Sequence, residues 1–446
     1  MKTPICDFLK KYNNDGFSRL HMPGHKGVSF VGCEEYDLTE ISGADSLYHA
    51  NGIIKESEEN ATRLFGTERT FYSTEGSSLS IRAICYLAKS YAISNGLDSN
   101  YVLATRNAHS SFISASVLLD FDIEWMHSEG NYICSEINAE ILEKRLSCVD
   151  KMPFAVYITS PDYLGNTLDI SGISAVCKKY NVPLLVDNAH GAYLKFLEKS
   201  KHPIDLGATL CVDSAHKTLP VLTGGGYLHI SKDAPAFFKE NAKIALSLFG
   251  STSPSYLILK SLDNANRYIS NGYRENLSKT INKISNLKSA LIDNGYKIIG
   301  DEGLKLTIMP KPYGYYGKEL YDILYSDGIV CEFCDPDFLV MMFTPESTDS
   351  DIERLKSILL NLPKKNAILD TPPSFSLPKT IFSTKNAYFM PREKVSVSDA
   401  RGRVLAVTSI TCPPAVSIAV CGEEISEDVI NACKYYGIDS FYVIKN

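Results

Sequence analysis

Pro183-Leu-Leu-Val-Asp-Asn-Ala-His190 and Thr209-Leu-Cys-Val-Asp-Ser-Ala-His-Lys217 share one grammar, a short apolar run that stops at an aspartate and gives way to small, hydrogen-bonding residues. Runs of this kind suit strands buried on both faces of a sheet. Two further segments repeat the apolar run and its polar end without the terminal aspartate. Tyr101-Val-Leu-Ala-Thr105 leads into Arg106-Asn-Ala-His109, and Ala155-Val-Tyr-Ile-Thr159 into Ser160-Pro-Asp-Tyr163. Helix-like stretches separate the runs between residues 60 and 230, and this alternation predicts an α/β domain with a mostly parallel sheet. In open sheets of that class ligands bind at the carboxyl ends of the strands, so the four polar clusters are expected to converge on one crevice.

The chain has 446 residues, 44% hydrophobic and 22% charged, which fits a soluble globular protein of more than one domain. The pattern predicts an amino-terminal segment over 1–50, a large cofactor-binding α/β domain over 51–250, and a smaller α+β domain over 251–361. A linker follows over 362–379, where Pro363, Pro372, Pro373 and Pro378 fall, and then a carboxy-terminal lobe over 380–446. No apolar run is long enough to span a bilayer, and Met1-Lys-Thr-Pro-Ile-Cys-Asp7 lacks the apolar stretch of a signal peptide, so a cytoplasmic location is expected. Of twelve cysteines the only close pair is Cys331-Glu-Phe-Cys334, with no second pair or histidine beside it. Reduced thiols and no metal site are the expectation. A formal charge of -7 speaks against nucleic acid as a partner and suits a cationic small molecule.

Lys217 directly follows a predicted strand, beside His216. A lysine there becomes a nucleophile when desolvation and neighbouring positive charge favour its neutral form. Asp187, at the end of the preceding run, can keep a pyridine nitrogen protonated; its alternative role is to cap the turn that follows. Gly76, Ser77 and Ser78 precede an apolar helical stretch, where backbone N–H groups can hold a phosphate, and Ser214 can add a hydroxyl. His109 and His190 follow strand ends, where an imidazole can stack on a ring or move a proton. Together these groups are what pyridoxal 5'-phosphate (PLP), bound to Lys217 as a Schiff base, requires. Arg19-Leu-His-Met-Pro-Gly-His-Lys-Gly27 receives no role from its spacing.

With those residues in view, the sequence resembles the Orn/Lys/Arg decarboxylases of PLP fold type I, the aspartate aminotransferase fold. The resemblance runs through His21-Met-Pro-Gly-His-Lys-Gly27, Gly43-Ala-Asp-Ser-Leu47, the Gly76-Ser-Ser loop, Asp187-Asn-Ala-His190, Ser214-Ala-His-Lys217, Ser251-Thr-Ser-Pro-Ser-Tyr256 and Cys412-Pro-Pro-Ala415. It implies that Lys217 carries PLP, that Asp187 pairs with the ring nitrogen and that His109 stacks on the ring. Gly76, Ser77, Ser78, Ala189, Ser214 and His216 are implied around the phosphate and the cofactor, with His190 and His216 among the catalytic groups. It further implies a short family member without an amino-terminal response-regulator-like domain, acting as a homodimer or larger assembly in which Ser251, Thr252 and Ser253, in the stretch to Tyr256, reach a neighbour's site.

The implied reaction is decarboxylation of arginine, lysine or ornithine in polyamine-related metabolism, and Asp45 and Glu423 are the candidate carboxylates for the substrate's cationic end. Three positions depart from the family pattern: Gly224 stands for a glutamine, Asn188 for a glutamate and Ser417 for a proline. An aminotransferase or lyase on the same fold, or a non-catalytic PLP-binding relative, remains the alternative.

Overall fold

The computed structural model describes residues 1–126, 137–412 and 416–445. Seven strands form the main sheet: Arg69–Ser73 (β1), Tyr101–Thr105 (β2), Asp122–Met126 (β3), Ala155–Thr159 (β4), Leu184–Asp187 (β5), Leu210–Asp213 (β6) and Gly226–Ile230 (β7). Their order is β1-β7-β6-β5-β4-β2-β3, with β5/β6 and β2/β3 parallel and β7 antiparallel between β1 and β6. The four apolar runs are thus β2, β4, β5 and β6. Every residue of β5, β6 and β7 is buried, the condition that an unbroken apolar run serves.

The described chain divides into two compact units. The first comprises Met1–Ser99, Leu146–Tyr157 and Ile170–Glu275. In it helix Tyr256–Ile269 carries the buried Asp263, whose Oδ2 accepts the backbone N–H groups of Ile5 and Cys6 at 3.0 and 2.9 Å. Those are first-turn donors of helix Pro4–Asn14, which has no side-chain cap of its own. Ser57 donates to Oδ1 at 2.6 Å. These bonds keep the helix with the first unit, so the change expected at residue 251 comes after Glu275.

The second unit comprises Asn100–Arg145, Ile158–Asp169 and Asn276–Asn446. Strands Lys297–Ile299 (β8), Lys305–Met309 (β9), Phe333–Cys334 (β10) and Leu339–Met342 (β11) form a sheet in the order β10-β11-β9-β8. Side-chain alternation gives it two covered faces. Leu306, Ile308, Leu339 and Met341 pack with Leu287, Leu291, Leu355 and Leu359, whereas Phe338 and Val340 pack with Leu405, Ile418 and Val443. The segment 380–446, expected as a separate lobe, therefore shares a core with the smaller domain. Burial pushes the Cys331 thiol up to about 12, and Cys334 is raised too, so this pair holds little thiolate at neutral pH. Among the described residues no helix is long and apolar enough to cross a membrane.

Candidate active site

Asp187 pairs in register with Val212, so β5 and β6 deliver Asp187 and the Lys217 turn from neighbouring parallel strand ends. Lys217 lies in the single helical turn Ala215–Thr218. Its Nζ is 2.9 Å from Nε2 of the buried His190. Asp187 is buried, its Oδ2 accepting the Tyr157 hydroxyl and its Oδ1 the Ala189 N–H, each at 3.1 Å. The bond to Ala189 is the turn cap foreseen as the alternative, and one oxygen suffices for it. Burial, and after it the nearby carboxylates, push the thiols of Cys85 and Cys211 up, which leaves Lys217 without a cysteine competitor as nucleophile there.

Gly76, Ser77 and Ser78 form the first turn of the 19-residue helix Gly76–Ser94, whose amino end favours an anion. Ser214 donates to the Ser77 hydroxyl at 2.9 Å. His216 Nδ1 bonds the Gly225 carbonyl at 2.9 Å, and its ring lies against Gly76, where an added Cβ would stand 3.8 Å from His216 Cε1.

Gly224, the first departure, proves to be a backbone requirement. Its φ is +97°, and a Cβ would stand 2.9 Å from the Thr74 carbonyl oxygen. The carbonyl of Gly224 accepts the Gly76 N–H at 2.6 Å, so this turn fixes the start of the anion-binding helix. Gly224→Ala should cost about 1–3 kcal/mol of stability and weaken phosphate binding, measured by thermal unfolding and by PLP titration.

Asn188, the second departure, donates from Nδ2 to Asp213 Oδ1 at 2.7 Å, while Asp213 Oδ2 meets Nε2 of His202 at 3.1 Å and of His229 at 3.0 Å. All four residues are buried. Burial alone would raise the Asp213 carboxyl, but the two imidazoles outweigh it and hold the group well below the usual carboxylate range. A glutamate at 188 would set a second charge against it. Burial in turn holds His229 below its ordinary value, against the upward pull of Asp213. Below about pH 6.5 the unfolded chain therefore takes up a proton that the folded imidazole resists. Stability should be complete above that pH and fall as the pH drops to 5, and His229→Gln should flatten the slope in melts across pH 5–8. Sequence reading missed this network and Tyr157. The available signal was His229, a histidine within the otherwise apolar run Gly226-Tyr-Leu-His-Ile230.

Other candidates have different partners. Asp45, a candidate substrate carboxylate, has oxygens that accept the N–H groups of Ser46, Asn51, Gly52 and Ile54 at 2.8–3.1 Å, which ties down the start of helix Ile53–Phe65. Glu423, the other candidate, forms a forked pair with the buried Arg106, both bonds 2.7 Å, and accepts the Val420 N–H at 2.8 Å. Ser417, the third departure, lies inside strand Val416–Val420; its carbonyl accepts Arg106 Nε at 2.8 Å and its N–H, which proline would lack, faces the Arg106 carbonyl at 3.5 Å.

His109, in the second unit, caps helix Ser110–Leu119 by accepting the Ser111 N–H on Nδ1 at 3.2 Å. Ser251, Thr252 and Ser253 are exposed, the Ser251 N–H bonding Glu75 Oε1 at 2.7 Å. Tyr256, by contrast, is buried, its hydroxyl donating to the Asp45 carbonyl at 2.6 Å. Pro413–Ala415 of the Cys-Pro-Pro-Ala motif lie outside the described residues.

The family model for the major domain of Orn/Lys/Arg decarboxylases matches residues 3–307. An uncharacterized protein of Bacillus subtilis is 28% identical, over 96% of this chain and 93% of that protein. The arginine decarboxylase of Bacillus subtilis is 26% identical, over 96% and 92%. The structure of the Escherichia coli constitutive lysine decarboxylase superposes with a TM-score of 0.78 at 19% identity, over 100% of this chain and 82% of that one, a likeness of fold.

Proposed function

We propose, for a chain that belongs to the Orn/Lys/Arg decarboxylase family, that Lys217 holds PLP and that the enzyme decarboxylates a basic amino acid, arginine being the first candidate. The observation that carries this reading is the pairing of Lys217 Nζ with His190 Nε2 at the end of the strand next to the one that ends in the buried Asp187. The residues present suit the cofactor: an amine for its aldehyde, a buried carboxylate for its ring nitrogen, and paired hydroxyls with a helix amino end for its phosphate. Arginine is favoured by the arginine decarboxylase of Bacillus subtilis, which matches nearly end to end.

When bound, PLP supplies an electron sink for the pair released as the bond between Cα and the carboxylate breaks. Asp187, oriented by Tyr157 and Ala189, keeps a negative charge where a protonated ring nitrogen needs one. Ser77, Ser214 and the first turn of helix Gly76–Ser94 would hold the phosphate. His190 takes or returns a proton at Lys217 Nζ as the lysine alternates between holding the cofactor and yielding to the substrate amine. Lys217 or His216 then delivers a proton to Cα, and the amine leaves.

The chain works in the cytoplasm, in polyamine-related metabolism, as a homodimer or larger assembly. There Ser251, Thr252 and Ser253 extend toward a neighbour's phosphate site; their exposure and the Ser251 bond to Glu75, beside Gly76, support that role. The test is carbon dioxide release from arginine, lysine and ornithine, with identification of the amine formed. Formation of a keto acid without carbon dioxide would replace this reading with an aminotransferase.

A further inference from the structure

The second unit contains an open cleft of about 580 Å³ lined by Tyr316, Asp322, Asp335, Asp370 and Tyr435 among others. None of these residues belongs to the Lys217 site. Asp335 is 5% exposed, and its Oδ1 accepts the N–H groups of Asp337 and Phe338 at 2.7 and 2.6 Å. Its other oxygen, Oδ2, is buried and finds no hydrogen-bond partner among the described residues. A carboxylate oxygen left so is costly unless a positive donor reaches it. Burial, opposed by those two N–H bonds, pushes the carboxyl up to about 7.

The charges around it are partly paired. Lys318 pairs with Asp322, Lys365 with Glu319 at 2.6 Å, and Lys311 with Asp337 at 2.9 Å and more loosely with Asp370 at 3.6 Å. Lys311, Lys318 and Lys365 are thus engaged by Glu319, Asp322, Asp337 and Asp370, so three lysines face four carboxylates before Asp335 is counted. The acids do not converge: among the described residues no three of them bring oxygens within 4.8 Å of one another, as a bound metal ion would require. Tyr316 and Tyr435 already hold one ammonium group, that of Lys311, at 5.4 and 5.1 Å from their ring centroids, so the aromatic wall of the cleft suits cations.

We propose that this cleft binds an extended organic dication, a diamine or polyamine, with one ammonium group on Asp335 Oδ2 and the other toward Asp322 or Asp370. The site is separate from Lys217, whatever substrate Lys217 serves.

Calorimetry on the borohydride-treated holoprotein at low ionic strength tests this, because the reduced Lys217 site cannot react with an amine. Spermidine and 1,4-diaminobutane should bind saturably, and n-butylamine and magnesium chloride far more weakly. Asp335→Asn keeps an oxygen for the two N–H bonds and should weaken diamine binding by roughly tenfold or more. Asp370→Asn, at the cleft margin, should weaken it less and guards against a misfolded first variant. No saturable diamine binding, equal binding of n-butylamine or magnesium, or unchanged affinity in folded Asp335→Asn would each overturn the proposal.

Discussion

Lys217→Ala should abolish borohydride-stable labelling by PLP and lower carbon dioxide release by about a thousandfold or more, with the thermal midpoint of the apoprotein nearly unchanged. The reasoning separates chemistry from folding. Lys217 is only partly buried, on a single helical turn, and its amine is matched with the imidazole of His190. Truncating it leaves that imidazole in place and opens no core cavity, so the stability change should stay within about 1 kcal/mol. The chemistry, by contrast, gets no help from Cys85 and Cys211, which burial holds as thiols. Lys217→Arg should fail as well, because a guanidinium keeps its proton at any working pH. Label on another lysine, or undiminished release in Lys217→Ala, would sink the assignment.

How far the site was legible follows from how local each feature is. The places of Asp187, Lys217 and Gly76-Ser-Ser, after apolar runs or at the start of a helix, were readable because a buried strand advertises itself in consecutive residues. Asp45 and Glu423 were harder to read for the opposite reason. A carboxylate's partner decides its function, and Glu423 finds Arg106 at a separation of 317 residues. Asp45 engages N–H groups up to ten residues away, but nothing in its composition distinguishes that from a substrate contact. The domain edge near residue 251 shifted for a similar reason, since Asp263 reaches back to Ile5 and Cys6. Gly224 looked like a lost glutamine until its positive φ and the nearby Thr74 carbonyl gave it a conformational reason.

The same non-locality sets the second large effect. Asp213→Ala should destabilise the protein by about 3–5 kcal/mol, a fall of roughly 10 °C in thermal midpoint. Its carboxylate is the shared partner of Asn188, His202 and His229, which come from three other segments of the first unit and are all buried, so removing it strands three polar groups at once. Asp213→Asn should cost less, because the amide oxygen still accepts, yet its N–H₂ must face a donor, either Asn188 or an imidazole. Asn188→Asp tests the network from the other side: two carboxylates would meet where one is now satisfied, and the loss should shrink as the pH falls and one of them takes up a proton. Because Asn188 and Asp213 sit directly after and before the residues that end β5 and open the Lys217 turn, the damage should reach the cofactor. PLP affinity should fall in Asp213→Ala even at temperatures where the chain remains folded, whereas Glu423→Gln, in the second unit, should cost stability with a smaller effect on PLP titration. Equal PLP affinity in folded Asp213→Ala and wild type would show that the network supports the fold alone.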